Sequence, residues 1–122
     1  MRAAKLPIPT EEQEQRTVAA YLDRIGVLWC HVPNGSGMYG GRNDGSRIHK
    51  NVKLKAMGVK SGVPDILIFD GFVAIELKRR KDGKVSPKQR EWIEALKYRG
   101  WRVAVCNGAG EAIEQLKQWG YK

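Results

Sequence analysis

The chain has 122 residues, a formal net charge of +9 and an apolar fraction of 42% that includes four Trp. That length bounds it to one folded domain with a core of its own, and the charge favours a polyanionic partner, nucleic acid ahead of an anionic membrane. No stretch is apolar enough to span a bilayer, no basic amphipathic helix suggests surface insertion, and Met1 to Pro9 lacks the apolar run of a signal peptide.

Residues 1–9 read as a flexible leader and residues 10–122 as a single domain. Thr10, with Gln13 at the capping-box position, predicts a helix from Glu11 to Ile25 that Gly26 stops. Val27 to Val32 is strand-like and runs into Pro33-Asn34-Gly35, a strong breaker. Residues 34–46 are rich in glycine and poor in apolar side chains, the composition of a long functional loop. A short basic helix is expected over Ile48 to Met57, ended by Gly58. Two apolar, β-branched and aromatic runs follow, Ile66 to Phe69 and Phe72 to Leu77, separated by Asp70-Gly71. That dipeptide predicts a type I′ hairpin. Ser86 caps a helix with Pro87 at its first position. This helix runs to Arg99 with Trp92, Ile93, Leu96 and Arg99 as its inward stripe. Trp101 to Cys106 reads as a strand, and a last helix covers Gly110 to Trp119. The order α-β-α-β-β-α-β-α, with a strand–helix–strand crossover, predicts an α/β domain built on a mixed four-stranded sheet flanked by helices. Cys30 and Cys106 fall in apolar runs without CxxC spacing. They read as buried free thiols rather than a zinc site, consistent with a cytoplasmic location. The four Trp fall on strand and helix core positions, so packing outweighs base-stacking for most of them, and His31 and His49, too isolated to assign, read as structural or surface residues.

The hairpin register places chemistry. A two-residue turn pairs Ile68 with Val73 and Ile66 with Ile75, and therefore Asp65 with Glu76, at a Cβ separation of roughly 4.5–5.5 Å. Like charges held opposite each other are destabilising, and a divalent metal between them would remove the conflict. Period-2 alternation sets Lys78 on the face of Glu76. The end of the hairpin thus presents two carboxylates and an amine. On the first helix the stripe Val18, Leu22 and Ile25 extends back to Gln15 and Glu11. These two can lean over the same end, with Glu14 the substitute for Glu11.

Those are the parts of a phosphodiesterase. Magnesium is held by one or two carboxylates with water completing its shell, which suits Asp65 and Glu76, with the Leu77 carbonyl in reach as a third ligand. Lys78 suits the stabilisation of negative charge in the transition state, or the orientation of an attacking water. Two basic runs flank the pair: Arg42, Arg47, Lys50, Lys53, Lys55 and Lys60 before it, and Lys78 to Arg90 after it, with Arg79, Arg80, Lys81, Lys84 and Lys88. Beside a metal site such runs grip phosphates, and Asn34 with its following glycines allows close approach of the backbone.

The sequence resembles the VRR-NUC nucleases of the PD-(D/E)XK superfamily. The resemblance is carried by Glu11 and Gln15, by Val32-Pro33-Asn34-Gly35, Leu54-Lys55-Ala56-Met57-Gly58-Val59 and Gly62-Val63-Pro64-Asp65. It continues through Glu76-Leu77-Lys78 and Ser86-Pro87-Lys88-Gln89. It implies a restriction-endonuclease-like fold and an endonuclease that uses Mg²⁺ or Mn²⁺ and no small-molecule cofactor. Asp65, Glu76 and Glu11 would be metal ligands, with Lys78 catalytic and Gln89 an active-site helper. It also suggests branched DNA such as a four-way (Holliday) junction as substrate, a homodimer, and a bacterial or phage-infected cell as the setting. Asn34, Arg42, Arg47, Lys53, Lys60, Arg79, Arg80 and Lys88 are the expected nucleic-acid contacts. The competing readings are a non-catalytic nucleic-acid-binding module with the same fold, and a nuclease acting on RNA.

Overall fold

The computed structural model describes residues 6–33 and 46–122, with α2 side chains from Asn51 onward. The elements follow the expected order: α1 (Glu11–Ile25), β1 (Trp29–His31), α2 (Ser46–Ala56), β2 (Ile66–Ile68), β3 (Val73–Lys78), α3 (Pro87–Tyr98), β4 (Arg102–Asn107) and α4 (Ala109–Gln118). The strands lie in one sheet in the order β1-β2-β3-β4. The first two pairings are antiparallel and β3–β4 is parallel, with α3 as the crossover.

α1 starts as its sequence dictates: the Thr10 hydroxyl accepts from the Gln13 N–H while the Gln13 side chain accepts from the Thr10 N–H. It ends where Gly26 takes a left-handed conformation. The core sits between the sheet and α1 and α4, with Val18, Tyr21 and Leu22 meeting Ile66, Ile68, Val73, Ile75, Ala112 and Leu116. β3 is the central strand, buried from Val73 to Leu77. A charged residue there is removed from water altogether.

The β2–β3 register matches the count made from the sequence, Ile66 opposite Ile75 and Ile68 opposite Val73. The turn does not. A type I′ turn needs positive φ at Asp70 and Gly71, but the left-handed residues are Gly71 (φ 95°) and Phe72 (φ 57°), and Phe69 to Phe72 form a four-residue connection. The cause is tertiary. Asp70 Oδ2 accepts the Leu28 N–H at 2.7 Å, and the Asp70 carbonyl accepts the Tyr121 hydroxyl at 2.5 Å, so the tip is tied to β1 and to the C-terminus.

Cys106 is buried as expected, with its thiol pushed up to about 11 by burial and by the nearby Glu111 carboxylate. Cys30 is exposed, against expectation. β1 is a three-residue edge strand with a solvated face, and Cys30 sits on it. No helix among the described residues is long and apolar enough to cross a membrane.

Candidate active site

Asp65 immediately precedes β2, and two backbone N–H groups and the His31 ring hold it. Its carbonyl accepts the Val32 N–H at 2.8 Å and meets His31 Nδ1 at 2.7 Å, while Oδ2 accepts the Leu77 N–H at 2.7 Å. Counting on from Ile66 opposite Ile75 sets Asp65 opposite Glu76, and the two carboxyl groups interact directly. Glu76 is only 2% exposed on the central strand. Burial, then the charge of Asp65, push its carboxyl up to about 8, against the partial relief of Lys78. Asp65 is also raised, by burial, although its bond from Leu77 pulls the other way. The pairing of two acids inferred from the register is therefore present. Glu76 Oε2 is buried and, among the described residues, no N–H or hydroxyl reaches it, the Asp65 carboxyl being the group that Glu76 faces.

Lys78 and Gln89 complete the group. Lys78 Nζ lies 3.5 Å from Glu76 Oε1 and donates to Gln89 Oε1 at 2.8 Å, and Gln89 Nε2 donates to Glu76 Oε1 at 2.9 Å. Gln89 is held in place by local structure. As the third residue of α3 it closes a capping box with Ser86, its Oε1 accepting the Ser86 N–H at 2.8 Å while the Ser86 hydroxyl accepts the Gln89 N–H. Ser-x-x-Gln is the sequence signature of that box, so the reason Gln89 is rigid could have been read before the fold was seen. Gly83 folds the connector over Lys78: a Cβ there would stand 2.9 Å from that of Lys78.

The helix-borne acid differs from expectation. Glu11 is exposed in the first turn of α1, and among the described residues no hydrogen bond or ion pair joins it to Asp65 or Glu76. The buried acid of α1 is Glu14, 2% exposed. It is occupied by Arg80, whose Nη2 lies 3.0 Å from Oε1 and whose Nε reaches both carboxylate oxygens at 3.3 and 3.4 Å. Gly108, at φ 94°, leaves room for this pair, since a Cβ there would meet Glu14 Oε2 at 2.6 Å and Arg80 Cγ at 2.8 Å. Helical spacing brings both Glu11 and Glu14 near the core-facing stripe, and a cation far along the chain decides which is buried. Gln15 is half-buried with its Nε2 unpartnered.

Of the expected nucleic-acid contacts, Asn34 and Arg42 lie outside the described residues. Arg47 belongs to the first turn of α2, with its side chain outside them. Lys53, Lys60, Arg79 and Lys88 are exposed, Lys88 with a long ion pair to Glu91 at 3.9 Å. Arg80 is engaged with Glu14, so its charge serves the fold first.

Among the described residues no three His, Cys, Asp or Glu side chains converge closely enough to hold a metal. The donor set is instead two carboxylates and a backbone oxygen. In an extended strand the N–H and C=O of one residue point the same way, so the Leu77 carbonyl faces the edge where its N–H meets Asp65. Such a set suits magnesium, which keeps several waters and takes its remaining ligands from substrate phosphate. The orphaned Glu76 Oε2 is the atom such a cation would satisfy.

No curated protein matches the chain. A solved structure described as a VRR_NUC domain protein superposes with a TM-score of 0.72 at 26% identity, over 94% of this chain and 91% of that one. The VRR-NUC domain profile matches residues 9–110. The chain belongs to the VRR-NUC domain family and has its nuclease-type fold.

Proposed function

We propose that the protein is a metal-dependent endonuclease that hydrolyses DNA phosphodiester bonds at Asp65, Glu76 and Lys78. The observation that carries this reading is the buried Glu76 carboxylate, set against Asp65 with one oxygen unpartnered. An apolar residue would serve a central strand better, and a structural acid would have both oxygens satisfied. A divalent cation held by Asp65, Glu76 and the Leu77 carbonyl would polarise a phosphate oxygen and make water a stronger nucleophile near neutral pH.

The chain's own residues do the rest. Leu77 N–H and the β1 edge fix Asp65. Gln89 ties Glu76 Oε1 and the Lys78 amine together through its own hydrogen bonds. Lys78 sets its amine at 11% side-chain exposure beside Glu76, where it can stabilise the negative charge that develops on the phosphate or hold the attacking water. By family resemblance Glu11 is the acid of α1 that assists, while the buried Glu14 is occupied by Arg80. The exposed cations Lys53, Lys60, Arg79 and Lys88 are proposed to hold the DNA backbone. Branched DNA such as a four-way junction is the proposed substrate, and a symmetric homodimer the proposed assembly, since a small catalytic unit extends its footprint that way. A purely binding module with this fold is disfavoured, because the carboxylate–lysine set is complete.

The test is cleavage of labelled linear, flapped and four-way-junction DNA with Mg²⁺ or Mn²⁺, wild type against Glu76→Ala, with light scattering for the assembly. Junction cleavage lost in the mutant is expected. Equal cleavage by the mutant would sink the mechanism, and tight salt-sensitive binding without any metal-dependent cleavage would favour the binding module.

A further inference from the structure

Between the C-terminal end of α2 and the outer side of α3 lies an open groove of about 570 Å³. Lys55, Lys60, Lys88 and Arg99 line it against one acid, Glu91. Trp92 forms part of its wall and is half-buried. The other tryptophans are committed elsewhere: Trp29 and Trp119 pack on the core, and Trp101 lies edge-on to Phe69 and Phe72. Among the described residues the Trp92 side chain has no hydrogen bond or ring partner. Its helix buries Ile93 instead.

The groove's lining adjoins the residues of the carboxylate site along the chain. Lys60 and Ser61 of its lining lead through Gly62-Val63-Pro64 into Asp65, and Lys88 precedes Gln89. The two segments are locked together, because Gly62, at φ 93°, lies so close that a Cβ would stand 2.6 Å from the Lys88 carbonyl carbon and oxygen.

We infer that this groove receives an unpaired strand of nucleic acid flanking the scissile bond, with a base against Trp92 and phosphates against Lys55, Lys60 and Lys88. The inference rests on reading Asp65 and Glu76 as a nuclease site. The charge balance fits a polyanion, and the aromatic wall selects its form. Aromatic faces interleaved with cations bind single strands, whose bases are free to stack. In a continuous duplex those faces are already stacked on one another. Among branched DNAs the groove therefore favours those with an unpaired stretch beside the cleaved bond, such as a flap or a junction opened at its branch point.

The test is binding of a short fluorescein-labelled oligothymidylate and of a duplex of equal length, in EDTA, so that binding is read apart from cleavage. The oligothymidylate is expected to quench tryptophan emission in the wild type. Trp92→Phe is expected to lose that quench while retaining binding. Trp92→Leu is expected to weaken oligothymidylate binding about tenfold and duplex binding little. Lys55→Glu with Lys60→Glu, both exposed and outside the core, is expected to lower the salt slope for the single strand by about 1.4; this variant carries the test if Trp92→Leu does not fold. An unchanged quench in Trp92→Phe, or wild-type oligothymidylate affinity in Trp92→Leu or the double lysine variant, would overturn the inference even if cleavage is observed. Quench and binding as expected, with no metal-dependent cleavage, would sustain the groove and sink the nuclease reading.

Discussion

Two carboxylates of this protein are equally buried, Glu14 and Glu76 at 2% exposure each, and they are treated in opposite ways. Glu14 faces a guanidinium that reaches both its oxygens. Glu76 shares one oxygen between an amine and an amide, has none for the other, and confronts a second acid. The first is a satisfied ion pair that ties α1 to the connector after β3. The second is an unsatisfied group on the strand least able to tolerate one. The contrast separates an acid that serves the fold from an acid kept for chemistry.

Mutation should expose the difference. Glu76→Gln is expected to lower DNA cleavage by about a thousandfold or more, as loss of a metal ligand and its charge would, while the melting temperature holds or rises, because a buried like-charge conflict is relieved. A destabilised Glu76→Gln protein would erase the contrast. Arg80→Ala should behave conversely. It strands Glu14 without a partner, and about 3 kcal/mol of stability is expected to go, toward the low end for a broken buried pair because Arg80 is half exposed. Denaturant titration reads that loss, and cleavage per folded molecule is expected to persist.

The two acids also differ in what pH does to them. Glu76 ionises near 4.5 in the unfolded chain and at about 8 in the folded one. Between those values the unfolded state binds fewer protons, so the metal-free protein loses stability as pH rises, at up to about 1.4 kcal/mol per pH unit. Urea titrations across that window should show the fall in wild type, and a much flatter line in Glu76→Gln. A smaller effect is expected at Gln89. Gln89→Glu keeps an acceptor for the Ser86 N–H but removes the N–H that reaches Glu76 and adds a third carboxylate. Helix α3 should stay capped, with stability within about 1 kcal/mol of wild type, while cleavage falls by about one to two orders of magnitude.

Much of this was legible in the sequence for specific reasons. The hairpin register follows from the length of two apolar runs and the residues between them. It holds because slipping by one residue would turn Ile66, Ile68, Val73 and Ile75 out of the core. The pairing of Asp65 with Glu76 and the approach of Lys78 follow from that register alone. What stayed hidden depended on partners distant in the chain. The turn departs from type I′ because Leu28 and Tyr121 hold Asp70. The buried acid of α1 is Glu14 rather than Glu11 because Arg80 arrives from beyond β3. Cys30 is exposed because β1 is a short edge strand, and Trp92 turns to a groove because Ile93 takes the core position on α3. Periodicity gives a face to each helix but does not say which residue at the margin of that face is covered.

The central claim is that Glu76 is left unsatisfied because a divalent cation completes it. Calorimetric titration of Mn²⁺ into the metal-free protein at neutral pH, in two buffers of different ionisation heat, reads both binding and proton release. Binding with release of a proton is expected in the wild type, because the cation displaces the proton that the raised Glu76 carboxyl holds, and Glu76→Gln should show neither. Binding of equal affinity in the variant, or no binding to the wild type, would contradict the account.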